Sequence, residues 1–277
     1  MPHPLEITCA WLHRKSWTSL FFSSAEEAIY TVCRVLVRRG DRVACIWPAY
    51  QSLFQVASEC GAVVRPIPAK LVGGLWDLAE ADIDRAVLKG TRLVVANVPH
   101  NPTGMVPSEG TWRQLLERTR HSGATFFSDE VYRPLIGVGD TLPASPVTLD
   151  DIPSITLGSV SKAFGLAGVR IGWVACRDHP LLRSLEQYKD YTTICASAPA
   201  EVLALIALRN WRTVVAEQQA IVTRNTAVFT QFLRRYAGLI EAPPISSGST
   251  CFPLWRGPGS AHEMAERAVA TRGIMIL

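Results

Sequence analysis

The sequence predicts an α/β fold in which a mostly parallel sheet is sandwiched between layers of helices. Short apolar runs of strand length alternate with stretches of helical period from about residue 20 to residue 175. Because parallel strands are joined by crossover helices, this alternation indicates a sheet covered on both faces. After Pro180 the pattern becomes mainly helical. We therefore divide the chain into a large domain, residues 1–215, and a linker helix with an incomplete small α+β lobe, residues 216–277.

The composition is that of a folded protein without a preference for nucleic acid or membrane. Of 277 residues, 48% are hydrophobic and 19% are charged, which excludes a disordered chain. The net charge of +4 forms no basic block, so nucleic-acid binding is not expected. Residues 202–208 are too few to span a membrane, and residues 1–15 lack a signal-peptide core. Seven scattered cysteines indicate reduced thiols and predict a cytoplasmic protein.

Capping signals and apolar runs predict the elements of the first half. Ser24 followed by Glu27 forms a capping box, and the apolar residues after it recur at helical spacing up to Gly40. Strands are predicted where short apolar runs stand between turn residues. The predicted strands are residues 43–47, 62–66, 93–96 and 125–128, and the further predicted helices are residues 51–60, 77–88 and 112–121. Residues 1–18 show no clear period.

The second half begins with a loop rich in Gly and Pro at residues 134–146. Two predicted strands, residues 154–158 and 171–175, stand on either side of a Gly-rich turn. Helical patterns follow at residues 181–189, 198–211 and 216–237. After two prolines, the remaining predictions are a strand at 250–254, a helix at 261–272 and an apolar run at 274–277.

Lys162 lies in the Gly-rich turn and is one of only five lysines in the chain. A lysine amine that its surroundings keep partly deprotonated can form a Schiff base with an aldehyde. Ser159, Ser161 and Arg170 flank it, and hydroxyls and a guanidinium suit phosphate oxygens. An amine beside phosphate ligands is what pyridoxal 5′-phosphate (PLP) requires. By itself the turn fits a solvated surface loop equally well.

Distinctive side chains also follow three other predicted strands. Tyr50 stands after the first strand, Asn101 lies in a proline-rich turn after the third, and Asp129 ends the fourth. The carboxyl ends of parallel strands form the edge at which open α/β sheets bind ligands. Tyr50 suits stacking on a flat cofactor and Asp129 suits a cationic ring nitrogen, whereas simple packing and helix capping are the alternatives. Small residues before the first helix make its N-terminus a candidate anion site, with an ordinary capped helix as the alternative.

Together these motifs resemble those of the class I/II aminotransferases, fold type I PLP enzymes related to aspartate aminotransferase. The motifs are Asn-Pro-Thr-Gly at 101–104, Asp-Glu-Val-Tyr at 129–132, and Ser-Val-Ser-Lys at 159–162 followed by Arg170. Their order and spacing match over roughly residues 20–255. The resemblance implies a mostly parallel sheet of the seven-stranded type, with PLP bound at its edge, and a homodimer.

The resemblance implies a role for each matching residue. Lys162 would form the Schiff base with PLP and move the substrate's α-proton, while Asp129 would keep the ring nitrogen protonated. Tyr132 and Asn101 would hydrogen-bond the phenolic oxygen, and Tyr50 would stack on the ring. The residues expected to hold the phosphate are Ser24, Ala25, Glu26, Ser159, Ser161 and Arg170. No metal site is expected.

Both ends of the chain depart from the pattern of this family. Family members carry a longer N-terminal stretch that closes over the active site, whereas about twenty residues precede Ser23 here. They also continue past the position of Leu277 to an arginine that binds the α-carboxylate of the substrate. We therefore expect a chain truncated at both ends, with a nearly whole cofactor site and a partial substrate site.

The predicted function is that of an aminotransferase that acts on an amino acid and a 2-oxo acid through Lys162. One alternative is a protein that binds PLP but is catalytically impaired. Another is lyase, cyclase or oxidase chemistry on the same fold. Residues 164–168 and 189–193 resemble a subgroup whose members act on arginine-derived substrates. A dinucleotide-binding protein is not expected, because no Gly-x-Gly-x-x-Gly follows the first strand.

Overall fold

The computed structural model of this protein describes residues 18–136, 141–245 and 247–276. Within these ranges, alternating strands and helices build the first two thirds, and helices dominate the rest. The strands are β1 (Thr18–Phe22), β2 (Arg42–Trp47), β3 (Val63–Val72), β4 (Leu75–Leu78), β5 (Thr91–Asn97), β6 (Thr125–Asp129), β7 (Ser154–Ser159), β8 (Gly172–Cys176), β9 (Ile240–Glu241) and β10 (Leu254–Trp255). The helices are α1 (Ala25–Leu36), α2 (Ser52–Glu59), α3 (Glu80–Ala86), α4 (Glu109–Ser122), α5 (His179–Lys189), α6 (Ala198–Arg209), α7 (Trp211–Arg235) and α8 (Ala261–Arg272).

A mixed sheet of eight strands in the order β1-β8-β7-β6-β5-β2-β3-β4 forms the centre of the large domain. The neighbours from β7 through β6, β5 and β2 to β3 pair in parallel. β8 is antiparallel to both β7 and β1, and β4 is antiparallel to β3. Six strands therefore run in one direction, which confirms the mostly parallel sheet, with one strand more than the seven-stranded type.

Helices cover both faces of this sheet, as the strand–helix alternation predicts. One apolar cluster joins the inner residues of α1, α2, α5 and α6 to one face. A second cluster joins α3 and α4 to the other face. The strand β7 is buried along its whole length, and β5 has one exposed residue, Arg92. Burial on both sides explains why these strands appear in the sequence as continuous apolar runs without alternation.

The single helix predicted at residues 77–88 is wrong in its first part. Residues Leu75–Leu78 form β4, which turns back on β3 so that Val72 pairs with Leu75. The two residues between them, Gly73 and Gly74, both have positive φ, the conformation that a two-residue hairpin turn requires. The helix α3 therefore begins only at Glu80.

The first helix is shorter than predicted, ending at Leu36 and not at Gly40. Asp41 provides the physical reason. Its carboxylate accepts a hydrogen bond from the backbone N–H of Arg38 at 2.8 Å, and its own N–H donates to the Arg38 carbonyl at 3.1 Å. Residues 38–41 are therefore held in a turn that replaces the last helical turn.

The C-terminal lobe contains less strand than the sequence predicts. Of the predicted strand at 250–254, only Leu254 pairs. The observed strand is Leu254–Trp255, and its partner is Ile240–Glu241. The helix α8 has the predicted bounds, with a capping box at Ser260. Residues 274–276 form no strand, and Leu277 and residues 1–17 lie outside the described residues. The domain boundary at residue 216 stays a prediction, and the helix α7 runs across it.

The described residues contain neither a membrane-spanning helix nor a cluster of metal-ligating side chains. No helix in these ranges is long and apolar enough to cross a membrane. In the same part of the chain, no three His, Cys, Asp or Glu side chains are grouped as metal ligands.

Candidate active site

A cleft of about 150 Å³ lies at the carboxyl edge of the parallel strands, beside the N-terminus of α1. It is lined by all eleven residues that the sequence singles out. These are Ser24, Ala25, Glu26, Tyr50, Asn101, Asp129, Tyr132, Ser159, Ser161, Lys162 and Arg170. Four further residues that sequence reasoning missed complete the lining: Ile29, Asn97, Val131 and Ala167. The structure therefore brings the whole predicted set together, while the role of each residue stays a prediction.

Lys162 stands in the turn that joins β7 to β8. The turn is closed by hydrogen bonds from Gly165 N–H to the Lys162 carbonyl at 3.0 Å and from Leu166 N–H to the Val160 carbonyl at 3.1 Å. The side chain is exposed, and its Nζ lies 6.0 Å from the centroid of the Tyr132 ring. Among the described residues its amine forms no hydrogen bond or ion pair. The amine is therefore available to a bound molecule.

Two hydroxyls and a guanidinium surround this lysine. Ser159 Oγ is buried, 2.9 Å from Ser161 Oγ, and it also accepts a hydrogen bond from Ser161 N–H at 3.0 Å. Arg170 has a left-handed backbone with φ of 57°, and its Nη1 donates to the Ala167 carbonyl at 2.9 Å. Arg170 and Ser161 both line the cleft. A guanidinium and a hydroxyl are suitable donors to the oxygens of a phosphate group.

The first turn of α1 adds unpaired backbone donors to the same wall. Ser24 is its N-cap, and the Ser24 hydroxyl accepts a long hydrogen bond from Glu27 N–H at 3.4 Å. The reciprocal half of the predicted capping box is displaced, because the Glu27 carboxylate accepts from Ser23 N–H at 2.7 Å. Ser24 has φ of 149° and ψ of 169°, a region used almost only by glycine, which costs about 1–3 kcal/mol. Such strain concentrates at functional sites.

Asp129 ends β6 and, at 4% exposure, is as deeply buried as Tyr132 among the ionisable residues of the cleft lining. Burial raises the pKa of its carboxyl from 3.8 to about 7. A hydrogen bond from Val131 N–H to Oδ1 at 3.1 Å and the charge of Lys162 act in the opposite direction, whereas Glu130 and Glu26 raise this pKa further. The carboxylate is therefore poorly compensated and favours a cation next to it.

Two tyrosines flank the aspartate. Burial, followed by the charge of Asp129, raises the pKa of Tyr132 to about 12, so its phenol is a proton donor at neutral pH. Tyr50 is 46% exposed at the cleft mouth, and burial and the Glu26 carboxylate raise the pKa of its phenol. The carboxylate of Glu26 also accepts a hydrogen bond from Ser52 Oγ, so it joins the first turn of α1 to the turn that carries Tyr50.

Asn101 is held by Asn97, the polar residue that sequence reasoning missed. Asn97 is the last residue of β5 and is 3% exposed. Its Oδ1 accepts a hydrogen bond from Asn101 N–H at 2.7 Å, and its Nδ2 donates to the Asp129 carbonyl at 3.0 Å. A polar residue at the end of a buried strand was the available signal, the same one that identified Asp129.

The geometry and the fold together define a PLP-dependent enzyme of fold type I. The family model for aminotransferase class I and II matches residues 8–277, so this chain belongs to that family. The fold alone is also shared with N-succinyldiaminopimelate aminotransferase from Mycobacterium tuberculosis. That structure superposes with a TM-score of 0.88 at 23% identity and covers 99% of this chain and 72% of its own.

Two curated proteins are similar to this chain over part of their length. Capreomycidine synthase from Streptomyces vinaceus is 30% identical over 254 residues, which cover 91% of this chain and 64% of that protein. Arginine–pyruvate transaminase AruH from Pseudomonas aeruginosa is 34% identical over 154 residues, which cover 55% of this chain and 38% of that protein. The chain thus spans less than two thirds of the length of these relatives.

Two solved structures that are 26% identical to this chain belong to PLP-dependent enzymes of different chemistry. The PLP-dependent cyclase OrfR matches with a TM-score of 0.81 and 26% identity, over 93% of this chain and 68% of that chain. A PLP-dependent aminotransferase from Streptococcus suis matches with a TM-score of 0.86 and 26% identity, over 99% of this chain and 72% of that chain. These matches support PLP as the cofactor of the family and leave the reaction open between two chemistries.

The residues present in the cleft fit PLP. The buried Asp129 carboxylate, whose negative charge the surrounding groups stabilise poorly, suits the protonated ring nitrogen. The Lys162 amine, which forms no hydrogen bond or ion pair with the described residues, suits the aldehyde. A helix N-terminus, two hydroxyls and the guanidinium of Arg170 suit the phosphate. The three groups of the cofactor thus each find matching chemistry in one cleft.

The raised pKa of Asp129 predicts that the stability of the cofactor-free protein depends on pH. The folded carboxyl keeps its proton up to pH about 7, whereas the unfolded one loses it near 3.8. The contribution of Asp129 to the free energy of unfolding is therefore largest below pH 4 and is lost as the pH rises to about 7. Asp129→Asn keeps the acceptor for Val131 N–H and should remove this component in urea denaturation at a series of pH values.

The exposed aspartate Asp190 provides the matched control, since Asp190→Asn should leave the pH profile unchanged. If the free energy of unfolding of Asp129→Asn followed the pH in parallel with the wild type from pH 4 to 7, the raised pKa would be wrong.

Proposed function

We propose that this protein binds PLP through Lys162 and transfers an amino group between an amino acid and a 2-oxo acid. The observation that carries the proposal is the placement of the free Lys162 amine and the buried Asp129 carboxylate in one cleft with a phosphate-suited wall. Similarity to an arginine–pyruvate transaminase over 55% of the chain supports this chemistry. In the reaction, an amino acid becomes a 2-oxo acid while a second 2-oxo acid becomes an amino acid.

We assign a role to each polar side chain of the cleft. When bound, PLP supplies an electron sink for the negative charge left on the α-carbon of the substrate. We assign to Lys162 the binding of the cofactor aldehyde and the transfer of the α-proton at its Nζ. Asp129 holds a proton on the ring nitrogen, because an anion in an apolar site stabilises a cation beside it. Tyr132 and Asn101 donate hydrogen bonds to the phenolic oxygen, and Tyr50 covers the ring face.

The assignment of Lys162 predicts the loss of one spectroscopic signal on mutation. Lys162→Met removes the only amine in the described cleft lining, so the visible absorption band that the wild type develops with PLP should disappear. Lys89→Met is the matched control, because Lys89 is exposed and lies just before the start of β5, at the end of the strand opposite the one that borders the cleft. A visible band of wild-type strength in Lys162→Met would show that another lysine binds the aldehyde.

Cyclase chemistry is the second candidate function, since the relatives include a capreomycidine synthase that matches 91% of this chain. The two reactions differ in what happens to the amino nitrogen. An aminotransferase moves nitrogen to the acceptor, whereas a cyclase leaves it in the product of the same substrate.

Transfer of a nitrogen isotope separates the two candidates. With a panel of ¹⁵N-labelled amino acids, including arginine, and pyruvate as acceptor, we expect ¹⁵N-alanine in mass spectrometry. Lys162→Met should give none. A product that retains all its ¹⁵N while alanine stays unlabelled would favour the cyclase, and no conversion of any amino acid would favour a protein that binds PLP but is impaired.

We also propose that the protein is a homodimer, with a second copy covering α6 and the preceding segment, residues 190–197. Apart from Glu201 in its first turn and Arg209 in its last turn, the sequence of α6 is apolar on all sides, and a helix of that type is normally buried. Its inner side packs in the core through Ala204 and Ala207, whereas Val202 and Ile206 are 56% and 54% exposed. In the preceding segment, Ile194 is 71% exposed with φ of 60°, a conformation that is rare for a β-branched residue.

This exposed segment is tied to the first turn of α1. Burial tends to raise the pKa of Glu27, but hydrogen bonds from Thr192 Oγ1, Thr193 Oγ1 and Ser23 N–H lower it overall. Lys189 Nζ is buried and donates to Thr193 Oγ1 at 3.1 Å and to the Ile194 carbonyl at 2.8 Å. A second copy docked on this segment therefore lies against an element that borders the cleft.

The homodimer predicts a change of mass when charge is placed on α6. Sedimentation of the wild type should give twice the chain mass of 30.4 kDa, and Val202→Glu with Ile206→Glu should give 30.4 kDa. Burying two carboxylates in an apolar interface costs more than such an interface gains. Val228→Glu on the exposed side of α7 serves as the control and should stay dimeric. A wild type of 30.4 kDa would contradict the dimer.

A cytoplasmic location completes the proposal. The six described cysteines are free, and Cys33, Cys45 and Cys176 are buried among apolar side chains. Reduced thiols are typical of proteins in reducing compartments.

A further inference from the structure

We infer that Asn97 is a positioning residue that sets the cofactor-facing side chains of Asn101 and Asp129 relative to each other, an inference that rests on the proposed PLP site. Asn97 lies at the end of β5, directly opposite Asp129 at the end of β6. Its side chain bonds to the backbone of both residues. A single amide thus links the group assigned to the phenolic oxygen of the cofactor with the group assigned to its ring nitrogen.

The chemistry of the two partners fixes the orientation of this amide. The Asn101 backbone N–H can only donate, so it must face the Asn97 oxygen, 2.7 Å away. The Asp129 carbonyl can only accept, so it must face the Asn97 nitrogen, 3.0 Å away. No other uncharged side chain of this size offers one donor and one acceptor in a rigid plane. A substitution at this position therefore breaks one or both links.

The two links do not contribute equally to the fold. The Asp129 carbonyl also accepts a hydrogen bond from Val98 N–H at 3.0 Å, so the pairing of β5 with β6 survives without the Asn97 amide. For the Asn101 N–H, the Asn97 oxygen is the hydrogen-bond acceptor that the structure shows. Loss of Asn97 therefore releases the Asn101 turn while the sheet persists, and the partly buried Asn101 N–H loses this acceptor.

Burial makes the link stiff. Asn97 is 3% exposed and its strand is buried at six of seven positions, so its bond to the Asp129 carbonyl is buried, whereas its bond to Asn101 N–H is partly buried. A hydrogen bond in such surroundings is stronger than one in water, and its loss is more costly. Asn97 also lines the cleft, but both of its polar atoms are turned to the backbone. It therefore acts on the cofactor through its neighbours, and chiefly through Asn101, because the pairing of β5 with β6 holds the Asp129 backbone without it.

The test compares Asn97→Ala, Asn101→Ala and the double variant in complex with PLP. Two quantities are measured: the Kd for PLP, and the pH midpoint at which the visible absorption of the complex changes. Asn97→Ala should raise the Kd about tenfold, the effect of one lost buried hydrogen bond. It should also move the midpoint in the same direction as Asn101→Ala. In the double variant the midpoint should equal that of Asn101→Ala, because a residue that acts through another adds nothing once the other is gone.

Two further variants test whether Asn97 positions Asn101. Asn97→Asp keeps the size and the acceptor for Asn101 N–H but loses the donor and adds a buried negative charge, which raises the pKa of nearby titrating groups, so it too should move the midpoint away from that of the wild type. Asn210→Ala removes an amide that bonds to a backbone carbonyl, that of Ile206, on an exposed helix end, and should leave both quantities unchanged.

The inference is overturned if Asn97→Ala and Asn97→Asp bind PLP with wild-type Kd and midpoint, even when their thermal stability falls. It is also overturned if the shifts of the single variants add in the double variant, because Asn97 would then contact the cofactor independently. A wild type that gives no visible complex with PLP would instead refute the proposed function.

Discussion

The burial of the Asp129 carboxylate is the constraint on which the rest of the site depends. Taking an ionised carboxylate out of water is costly unless a cation compensates it. Here one backbone hydrogen bond, from Val131, and the charge of Lys162 oppose the cost, and its pKa still rises to about 7. The cleft therefore favours a bound cation next to the Asp129 carboxylate. The protonated ring nitrogen of PLP is such a cation, which connects the desolvation of one side chain to the choice of cofactor.

The parallel strands determine where the partners of Asp129 stand. β5, β6 and β7 end at the same edge, and each ends in or just before a polar residue that lines the cleft. The strand order places Asp129 between Asn97 on one side and the Ser159–Lys162 turn on the other. The N-terminus of α1 then closes the phosphate side. Position in the sheet, and not proximity in the sequence, makes these residues one site.

The sequence predicted the buried strands and the lining of the cleft well, because both depend on local signals. Continuous apolar runs identified β5 to β7, and motif residues at their ends converge as parallel strands require. The errors arose where tertiary pairing decides. Residues 75–78 pair with β3 in a hairpin, although their neighbours have a helical pattern. Asn97 carried the same local signal as Asp129, a polar residue at the end of a buried strand, but its link to Asp129 comes from the register of β5 against β6, which no local pattern contains.

The central claim is that the amine of Lys162 is the group that takes up PLP, and borohydride reduction of the wild-type complex tests it most directly. Reduction fixes the cofactor to its lysine, and peptide mass spectrometry then locates it. The account predicts that the label lies on the peptide that contains Lys162. A label on Lys15, Lys70, Lys89 or Lys189, or a protein left unlabelled at saturating PLP, would show that Lys162 does not take up PLP.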